Sequence, residues 1–492
     1  MNKNIENWRL TWYNCKEIGA FWEVFMNIEP VRIENITIEN FKNVEKGYLD
    51  LENRRKNYQA SIVGIYGQNG SGKTALIDAL HLLRYALCGL AVPDKYADYI
   101  KLEKECATFK FQFKAKPGET VYDIWYQFSI KKCADTLHSE DELENGRPKD
   151  KVQVFNEVLS FGGTSEGYKV RKSVLIDTRT QEVFTPKLKY KELLGEEGQD
   201  ITELLVTKRL AQEQSRSFIF CKGMIERYRR NCQILSYKNV IESLYTFGRM
   251  GLFIIDTENA GLISMNVLPL AIQYRDEKIV TVGSFMLSLN EATPIQEEKV
   301  ELVRKVIGNM NIVLEQIVPG LTIDIVDLGP SVSKEGRTER LIQVMSLKNG
   351  RAIPFCYESE GIKKIVSILQ LLIMVYNDAF VTVAIDELDS GIFEYLLGEL
   401  LRIISEKGKG QLIFTSHNLR PLETIDRGFV AFTTTNPGNR YIRMTNVKEN
   451  NNLRDFYYRD IVLGEQSELL YNATNNFEIA LAFREAGEAF GA

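Results

Sequence analysis

From Val31 to Phe41 apolar and polar residues alternate, Val-Arg-Ile-Glu-Asn-Ile-Thr-Ile-Glu-Asn-Phe, which is the period of a strand with one buried face. Tyr48–Leu51 predicts a second strand. Ser61-Ile62-Val63-Gly64-Ile65-Tyr66 is a continuous apolar run of the kind buried on both faces. Beyond it the period changes, and Ala75 to Leu83 carries apolar residues at helical spacing. Thr108–Phe113 and Tyr122–Phe128 alternate again around Pro117-Gly118, a hairpin signal. Strands are expected around Glu157–Phe161 and Ser173–Asp177, after a charged stretch, 134–150, that reads as a solvated loop. Residues 190–250 turn helical, Pro294–Ile317 predicts one long amphipathic helix, and Leu321–Val326 a strand. Near the end, the apolar helix Val366–Tyr376 is followed by strand runs at Phe380–Ile385 and Gln411–Thr415. No heptad pattern or fixed-period repeat is sustained, so neither a long coiled-coil arm nor a repeat array is encoded.

A chain of 492 residues with 44% hydrophobic content can build two or three domains with ordinary cores. Its net charge of −5 argues against a surface that coats nucleic acid everywhere, but leaves room for a local basic groove. The candidate is Lys222–Arg230, where Arg227, Arg229 and Arg230 could grip a phosphate backbone; a solvated helix face is the more ordinary reading. Seven cysteines, at 15, 88, 106, 133, 221, 232 and 356, form no C-x-x-C pair and no Cys/His cluster of zinc type. They read as reduced thiols, and the lack of a membrane-length apolar run or secretory signal completes the expectation of a cytoplasmic protein without membrane contact. Trp8, Trp12 and Trp22 crowd the first residues. Both an aromatic arm that docks on a partner and a tolerated upstream extension fit them.

The chemistry begins at Gly67-Gln68-Asn69-Gly70-Ser71-Gly72-Lys73-Thr74, a complete G-x-x-x-x-G-K-T between a strand and a helix. Glycines there let backbone N–H groups turn in around a polyphosphate, and the following helix adds its positive dipole end. Lys73 would reach the β- and γ-phosphates and Thr74 would hold Mg²⁺. The strand run Phe380–Ile385 ends in Asp386-Glu387. There Asp386 can hold the hydration shell of the metal and Glu387 can act as general base on an attacking water. Leu388-Asp389-Ser390-Gly391 has the form of a D-loop, and Gln411–Thr415 leads to Ser416-His417-Asn418, which puts one of three histidines where a γ-phosphate sensor is needed. His81 and His138 have no such context and read as structural or exposed. Upstream, Glu358-Ser359-Glu360-Gly361 opens a helix, a plain N-cap by itself and an anion site in company with the other elements.

With Ile38-Glu39-Asn40-Phe41-Lys42-Asn43 near the start, these motifs resemble the AAA15/AAA21-type ATPases of the ABC class, relatives of the RecF, SMC and OLD ATPases. Departures are a signature of Ser-x-Gly form rather than Ser-Gly-Gly-Gln, and a Q-loop glutamine for which only Gln212 or Gln214 offers itself. The resemblance implies an α/β fold: an ABC-type ATPase head with a phosphate-loop core sheet, an antiparallel β-subdomain and a helical insert. The division it suggests is an aromatic-rich extension (1–30), a first ATPase lobe with the β-subdomain (31–190), a helical insert or arm (191–350) and a second lobe carrying signature, Walker B, D-loop and H-loop (351–492).

It also implies composite sites in a homodimer or higher homo-oligomer, with Gly67–Thr74 of one protomer and Ser359 and Gly361 of another sandwiching each ATP–Mg²⁺. In that scheme Glu387, His417 and Lys73 are catalytic, Asp389 helps bind nucleotide, and Thr74 and Asp386 serve the metal; Lys42 is expected near the nucleotide. For the biological role, the motif set resembles ATPase subunits of anti-phage, abortive-infection systems, which act on a separate effector, a nuclease or toxin. The stretch after His417 is too short for an appended nuclease domain, so the effector is expected in another chain. A RecF-like DNA-binding repair ATPase is the alternative. A transporter-associated ATPase is disfavoured by the long insert between phosphate loop and signature.

Overall fold

The structure, a computed structural model, describes residues 30–53, 60–117, 120–134, 150–165, 168–195, 200–256, 267–275, 280–288, 291–332, 336, 338–348, 350–444, 452–464, 466–472 and 474–488. Trp8, Trp12, Trp22, Cys15 and His138 lie outside these residues.

In chain order, β1 (Val31–Phe41), β2 (Val44–Asp50) and β3 (Ser61–Tyr66) lead into helix α1 (Lys73–Leu87). Four long strands follow, β4 (Cys106–Ala115), β5 (Val121–Ala134), β6 (Asp150–Ser165) and β7 (Tyr168–Asp177). Helices α2 (Leu188–Leu194), α3 (Ile201–Glu213), α4 (Lys222–Asn231) and α5 (Leu235–Thr246) precede β8 (Leu252–Ile255). Next come the hairpin β9 (Val267–Arg275) and β10 (Val280–Ser288), then β11 (Thr293–Gln296), α6 (Glu297–Ile317), β12 (Leu321–Val332), β13 (Thr338–Lys348) and β14 (Arg351–Pro354). The remainder is α7 (Glu360–Asn377), β15 (Thr382–Ile385), α8 (Glu394–Lys407), β16 (Gln411–Thr415), α9 (Pro421–Thr424), β17 (Val430–Thr433), β18 (Tyr441–Ile442), α10 (Leu453–Leu463) and α11 (Asn476–Glu488).

Among the described residues the core sheet has the order β18-β17-β3-β16-β15-β8, parallel except for the β17–β18 pair. Parallel neighbours need crossovers, and these place helices on both faces, which is why β3, β15 and β16 read as unbroken apolar runs. Ala384, Ile413, Ala431 and Ile254 pack into the layer of α1, whereas Val383, Ile385, Leu412, Phe414 and Phe432 pack into the layer of α7 and α8. The second sheet, β2-β1-β4-β5-β6-β7, is antiparallel throughout and presses Ile36, Ile38, Phe109, Phe111 and Phe128 into the core shared with α1. Buried Gln411 joins the two sheets: its amide accepts from Ile33 N (3.1 Å) and donates to Ile33 O (2.8 Å).

Two expectations need correction. Residues 191–350 are not a helical insert alone, because Leu252–Ile255 enters the core sheet beside β15 and β11–β14 form a further antiparallel sheet. A four-residue apolar run is too short to be told from a buried helix turn by its pattern. The helix expected from Pro294 starts instead at Glu297, since Thr293–Gln296 pairs with β13 as an edge strand, where a proline without an N–H is tolerated. Among the described residues no helix is long and apolar enough to cross a membrane.

Candidate functional site

Parallel register brings the carboxyl ends of the core strands level: Ile385 lies opposite Phe414 and Ile255, Thr415 opposite Ile65, and Phe432 opposite Tyr66. Whatever follows those strands therefore meets at one edge, where open α/β sheets place their ligands. Gly67, Gly70 and Gly72 turn the chain with φ of 149°, 74° and 99°. At Gly67 a Cβ would stand 1.8 Å from Thr433 Oγ1, so the position admits glycine alone. The loop is braced from elsewhere in the chain: Asn43 Nδ2 donates to Gly70 O, Tyr441 OH to Gly72 O (2.8 Å), and Asn472 N to Gln68 Oε1 (3.0 Å). Helix α1 begins without a side-chain cap, which leaves its first N–H groups for an anion. Lys73 is 7% exposed and its Nζ donates to Gly67 O (2.8 Å) and Gln68 O (3.1 Å). Burial holds the Lys73 ammonium below its ordinary pKa, while the carboxylates of Asp386, Glu387 and Asp389 act in the opposite direction.

Asp386 is buried at the end of β15. Its Oδ1 accepts from Thr415 Oγ1 (2.5 Å), and its Oδ2 is buried without a hydrogen-bond partner. The same Thr415 hydroxyl accepts from Glu387 N (2.8 Å). Glu387 holds φ of 49°, a left-handed conformation costly for a residue with a Cβ, and this turns it out of the strand line. Asp389 Oδ2 accepts from His417 N (3.1 Å) and Asn418 N (2.9 Å), so the D-loop and the end of β16 are tied together. Asp389 Oδ1 is also buried without a partner. A groove of about 340 Å³ opens among Asn69, Glu387, Asp389, Ser390 and His417. Glycine-turned amides, a buried lysine, an acid with an orphaned oxygen and a further carboxylate in an open groove can bind a polyphosphate and activate a water.

Ser359 and Gly361 do not line this groove. Ser359 is the exposed N-cap of α7, its Oγ accepting from Ile362 N at 3.4 Å. Gly361 instead packs on the D-loop of its own chain, where a Cβ would meet Gly391 O at 2.6 Å. Thr74 is partly buried in the first turn of α1. Lys42 pairs with Asp78 of α1 and lies over the Tyr99 ring at 4.1 Å, so it braces the helix behind the loop. Gln212 and Gln214 sit at the end of α3; the strand beside β15 is β8, and the residue after it is Asp256. In the basic segment, Arg227 pairs with Glu203, and Arg229 makes a two-pronged pair with Glu242 (2.5 and 2.8 Å), leaving Arg230 exposed. A pair of arginines already engaged by carboxylates is a poor grip for a phosphate backbone.

Several participants carry no motif. His81, in α1, is buried and places Nε2 3.0 Å from Asp256 Oδ2, at the strand edge. Lys364, one turn into α7, is 5% exposed with Nζ unpartnered; burial lowers its pKa against the opposing pull of Glu387, Asp389 and Asp386. Sequence signals for it existed only in hindsight of the fold, as a lysine on the apolar side of a buried helix.

Residues 32–420 match the AAA_15 family, described as an AAA ATPase domain. Two DNA replication and repair proteins RecF are similar over short segments: that of Chlorobaculum tepidum is 33% identical over 115 residues, and that of Chlorobaculum parvum 30% over 114. Each segment is 23% of this chain and 28% of the relative, so the match spans just over a quarter of the RecF chains. Among solved structures, an SMC head bound to the C-terminal winged-helix domain of ScpA overlays with a TM-score of 0.41 at 12% identity, covering 84% of this chain and 97% of that one. The recombination mediator RecF overlays with a TM-score of 0.35 at 13% identity, covering 85% and 99%. The family match extends over most of the chain and includes the phosphate loop, signature, Asp386-Glu387 and His417, and on that basis the chain belongs to the AAA ATPase domain family.

Proposed function

We propose that this protein binds and hydrolyses ATP in composite sites between two copies of the chain, and uses the resulting assembly as the sensor or scaffold of an anti-phage defence system that controls a separate effector. The observation that carries the enzymatic part is the convergence of Asn69, Glu387, Asp389 and His417 on one groove, beside Asp386 with an orphaned buried oxygen. An acceptor left bare in a buried site is costly unless a cation or donor completes it. Thr74 and Asp386 fit Mg²⁺ as hydroxyl and outer carboxylate, and the ion when bound would offset phosphate charge. Lys73 leaves the carbonyls of Gly67 and Gln68 for the β- and γ-phosphates, and the loop amides surround them. Glu387 accepts a proton from the attacking water, and His417 reports the γ-phosphate. Ser359 and Gly361, which do not line the groove of their own copy, contribute to the site of the second copy.

Glu387→Gln tests the base. It should keep nucleotide binding, trap the ATP-bound assembly and slow turnover by at least a hundredfold; undiminished turnover rules Glu387 out. The defence role is supported by the likeness of the motif set to ATPase subunits of abortive-infection systems. Plating phage on cells that carry this gene with its neighbours, wild type against E387Q, tests it: protection that depends on Glu387 and on an adjacent effector gene supports the role. Equal plating in all strains removes it.

The RecF-like reading, a DNA-binding repair ATPase, is favoured by the short RecF matches. Binding of duplex DNA measured over a salt series decides it, since phosphate recognition gives a steep negative slope of log affinity on log salt.

A further inference from the structure

Among the described residues, nothing covers a face of helix α11. Every described side chain from Asn476 to Arg484 is exposed, including Phe477 (76%), Ile479 (42%), Leu481 (41%) and Phe483 (77%). The helix has 13 residues and starts on an Asn475 cap, whose Oδ1 accepts from Phe477 N (3.0 Å) and Glu478 N (3.3 Å). Alone in water a helix of this length is marginal, and large apolar side chains at (i, i+4) spacing are spent only on a surface that covers them. At 100° per residue, Phe477 and Leu481 share one side while Ile479 and Phe483 lie on the opposite one.

The chain leading to it is fixed beside the phosphate loop. Leu470 is buried in the core, Leu469 O accepts from Thr435 N (2.8 Å), and Glu468 accepts from Asn436 and Asn439. Asn472 N then donates to Gln68 Oε1 (3.0 Å). The few residues from there to the start of α11 span at most about 14 Å, so the helix starts within reach of the phosphate loop. Exposed aromatic side chains also flank the signature in the chain. Tyr357 (76% exposed), Phe393 (71%) and Tyr395 (55%) stand on the segments either side of the Gly361–Gly391 contact.

In a composite ATP site, the phosphate-loop side of one copy faces the signature side of the other. We infer that α11 is a clasp that docks on a second copy of this chain, over the exposed Tyr357, Phe393 and Tyr395 of that copy. The inference rests on the two-copy reading of the ATP site given above. Two such clasps related by symmetry would add an area on the order of 1,000 Å², a large part of what a stable interface buries. Because the clasp is tied to Gln68, it closes over the same loop that ATP occupies.

The test uses the full chain in the E387Q background, with ATP–Mg²⁺, and measures self-association by analytical ultracentrifugation. Phe477 and Phe483 are largely exposed positions, so F477S/F483S should leave the fold of the single copy intact and retain ATP binding. The expected result is dimerisation weakened at least tenfold. A cysteine pair, I479C with F393C, should form a cross-link between chains only when ATP is present, and neither single variant should form it. Dimerisation unchanged by F477S/F483S, or a cross-link confined within one chain, overturns the clasp while leaving the composite site standing. Absence of any ATP-dependent dimer in E387Q overturns both together.

Discussion

Thr415→Val is the most direct probe of how the catalytic edge is held. The change preserves shape and strand preference but removes one oxygen, which donates to Asp386 Oδ1 (2.5 Å) and accepts from Glu387 N (2.8 Å). Thr415 is fully buried and Asp386 is 1% exposed, so water does not replace what is lost. A hydrogen bond to a buried carboxylate contributes about 1.5–3 kcal/mol, and an orphaned N–H costs about 1–3 kcal/mol. Since one hydroxyl serves both, the two figures are not additive, and a total near 3 kcal/mol is the reasonable expectation. Glu387 adds leverage, because its φ of 49° carries about 1–2 kcal/mol of strain that the Thr415 bond helps to offset. If about 2 kcal/mol of the loss falls on the conformation that presents Glu387, turnover drops roughly thirtyfold.

Steady-state hydrolysis at saturating ATP, alongside equilibrium binding of a fluorescent nucleotide, separates the two quantities: kcat should fall while affinity changes by less than about threefold. Thr415→Ser keeps the hydroxyl and should stay near the wild type. Wild-type kcat in T415V refutes the reasoning, and so does equal damage in T415S, since then the methyl group rather than the oxygen is at issue.

Gly361→Ala should lower turnover at least tenfold with ATP affinity retained, because its methyl group would stand 2.6 Å from Gly391 O and displace the D-loop; equal kcat in G361A means that this contact yields freely. Lys364→Met removes a buried ammonium whose pKa burial has lowered. The unfolded chain holds that proton more tightly, so wild-type stability gains relative to K364M as pH rises toward 10.5, and urea unfolding of both proteins at pH 7.5 and 9.5 should show the gap moving in favour of the wild type; a constant gap contradicts it. Gln411→Leu breaks the paired bonds to Ile33 that join the two sheets, at a cost of about 2–4 kcal/mol. Limited proteolysis should then cut the antiparallel sheet first, and an unchanged digestion pattern would show that the sheets do not depend on this pair of bonds.

The parts of the site that were legible in the sequence share one property: local spacing fixes them. Gly67–Thr74 must close a turn within eight residues, and Asp386-Glu387 and His417 each follow an apolar strand run, so their placement at one sheet edge follows from the parallel order. Alternation likewise revealed β1, β4 and β5. What escaped depends on contacts across long separations. Thr433 limits residue 67 from 366 positions away, counted as 433 − 67, and nothing in either segment alone signals it. Leu252–Ile255 joins the core sheet by parallel pairing with Thr382–Ile385, extended by the bond from Asp386 N–H to Ile255 O, a pairing no local pattern encodes. For the arginines of α4 a phosphate grip stayed open beside the more ordinary solvated face, because their partners, Glu203 and Glu242, lie on other helices.

The braces on the phosphate loop bear on where ATP binding energy goes. Left-handed backbone at Gly67, Gly70 and Gly72 is already held by Thr433, Asn43 and Tyr441, so the loop needs no reordering when a polyphosphate enters. In the proposed ATP site Lys73 is the exception: its two bonds to Gly67 O and Gln68 O would be exchanged for phosphate oxygens. That exchange is favourable because a buried ammonium, depressed in pKa by desolvation, gains most from a full negative charge. The carbonyls it leaves belong to the loop residues nearest the C-terminal segment, with Gln68 bonded to Asn472. Nucleotide entry in the proposed site is thus felt first by one side chain and one tether, which joins core-anchored Leu470 to the exposed helix. A loop built this way spends little of the ATP energy on itself, which leaves the greater part for whatever surface the triphosphate completes.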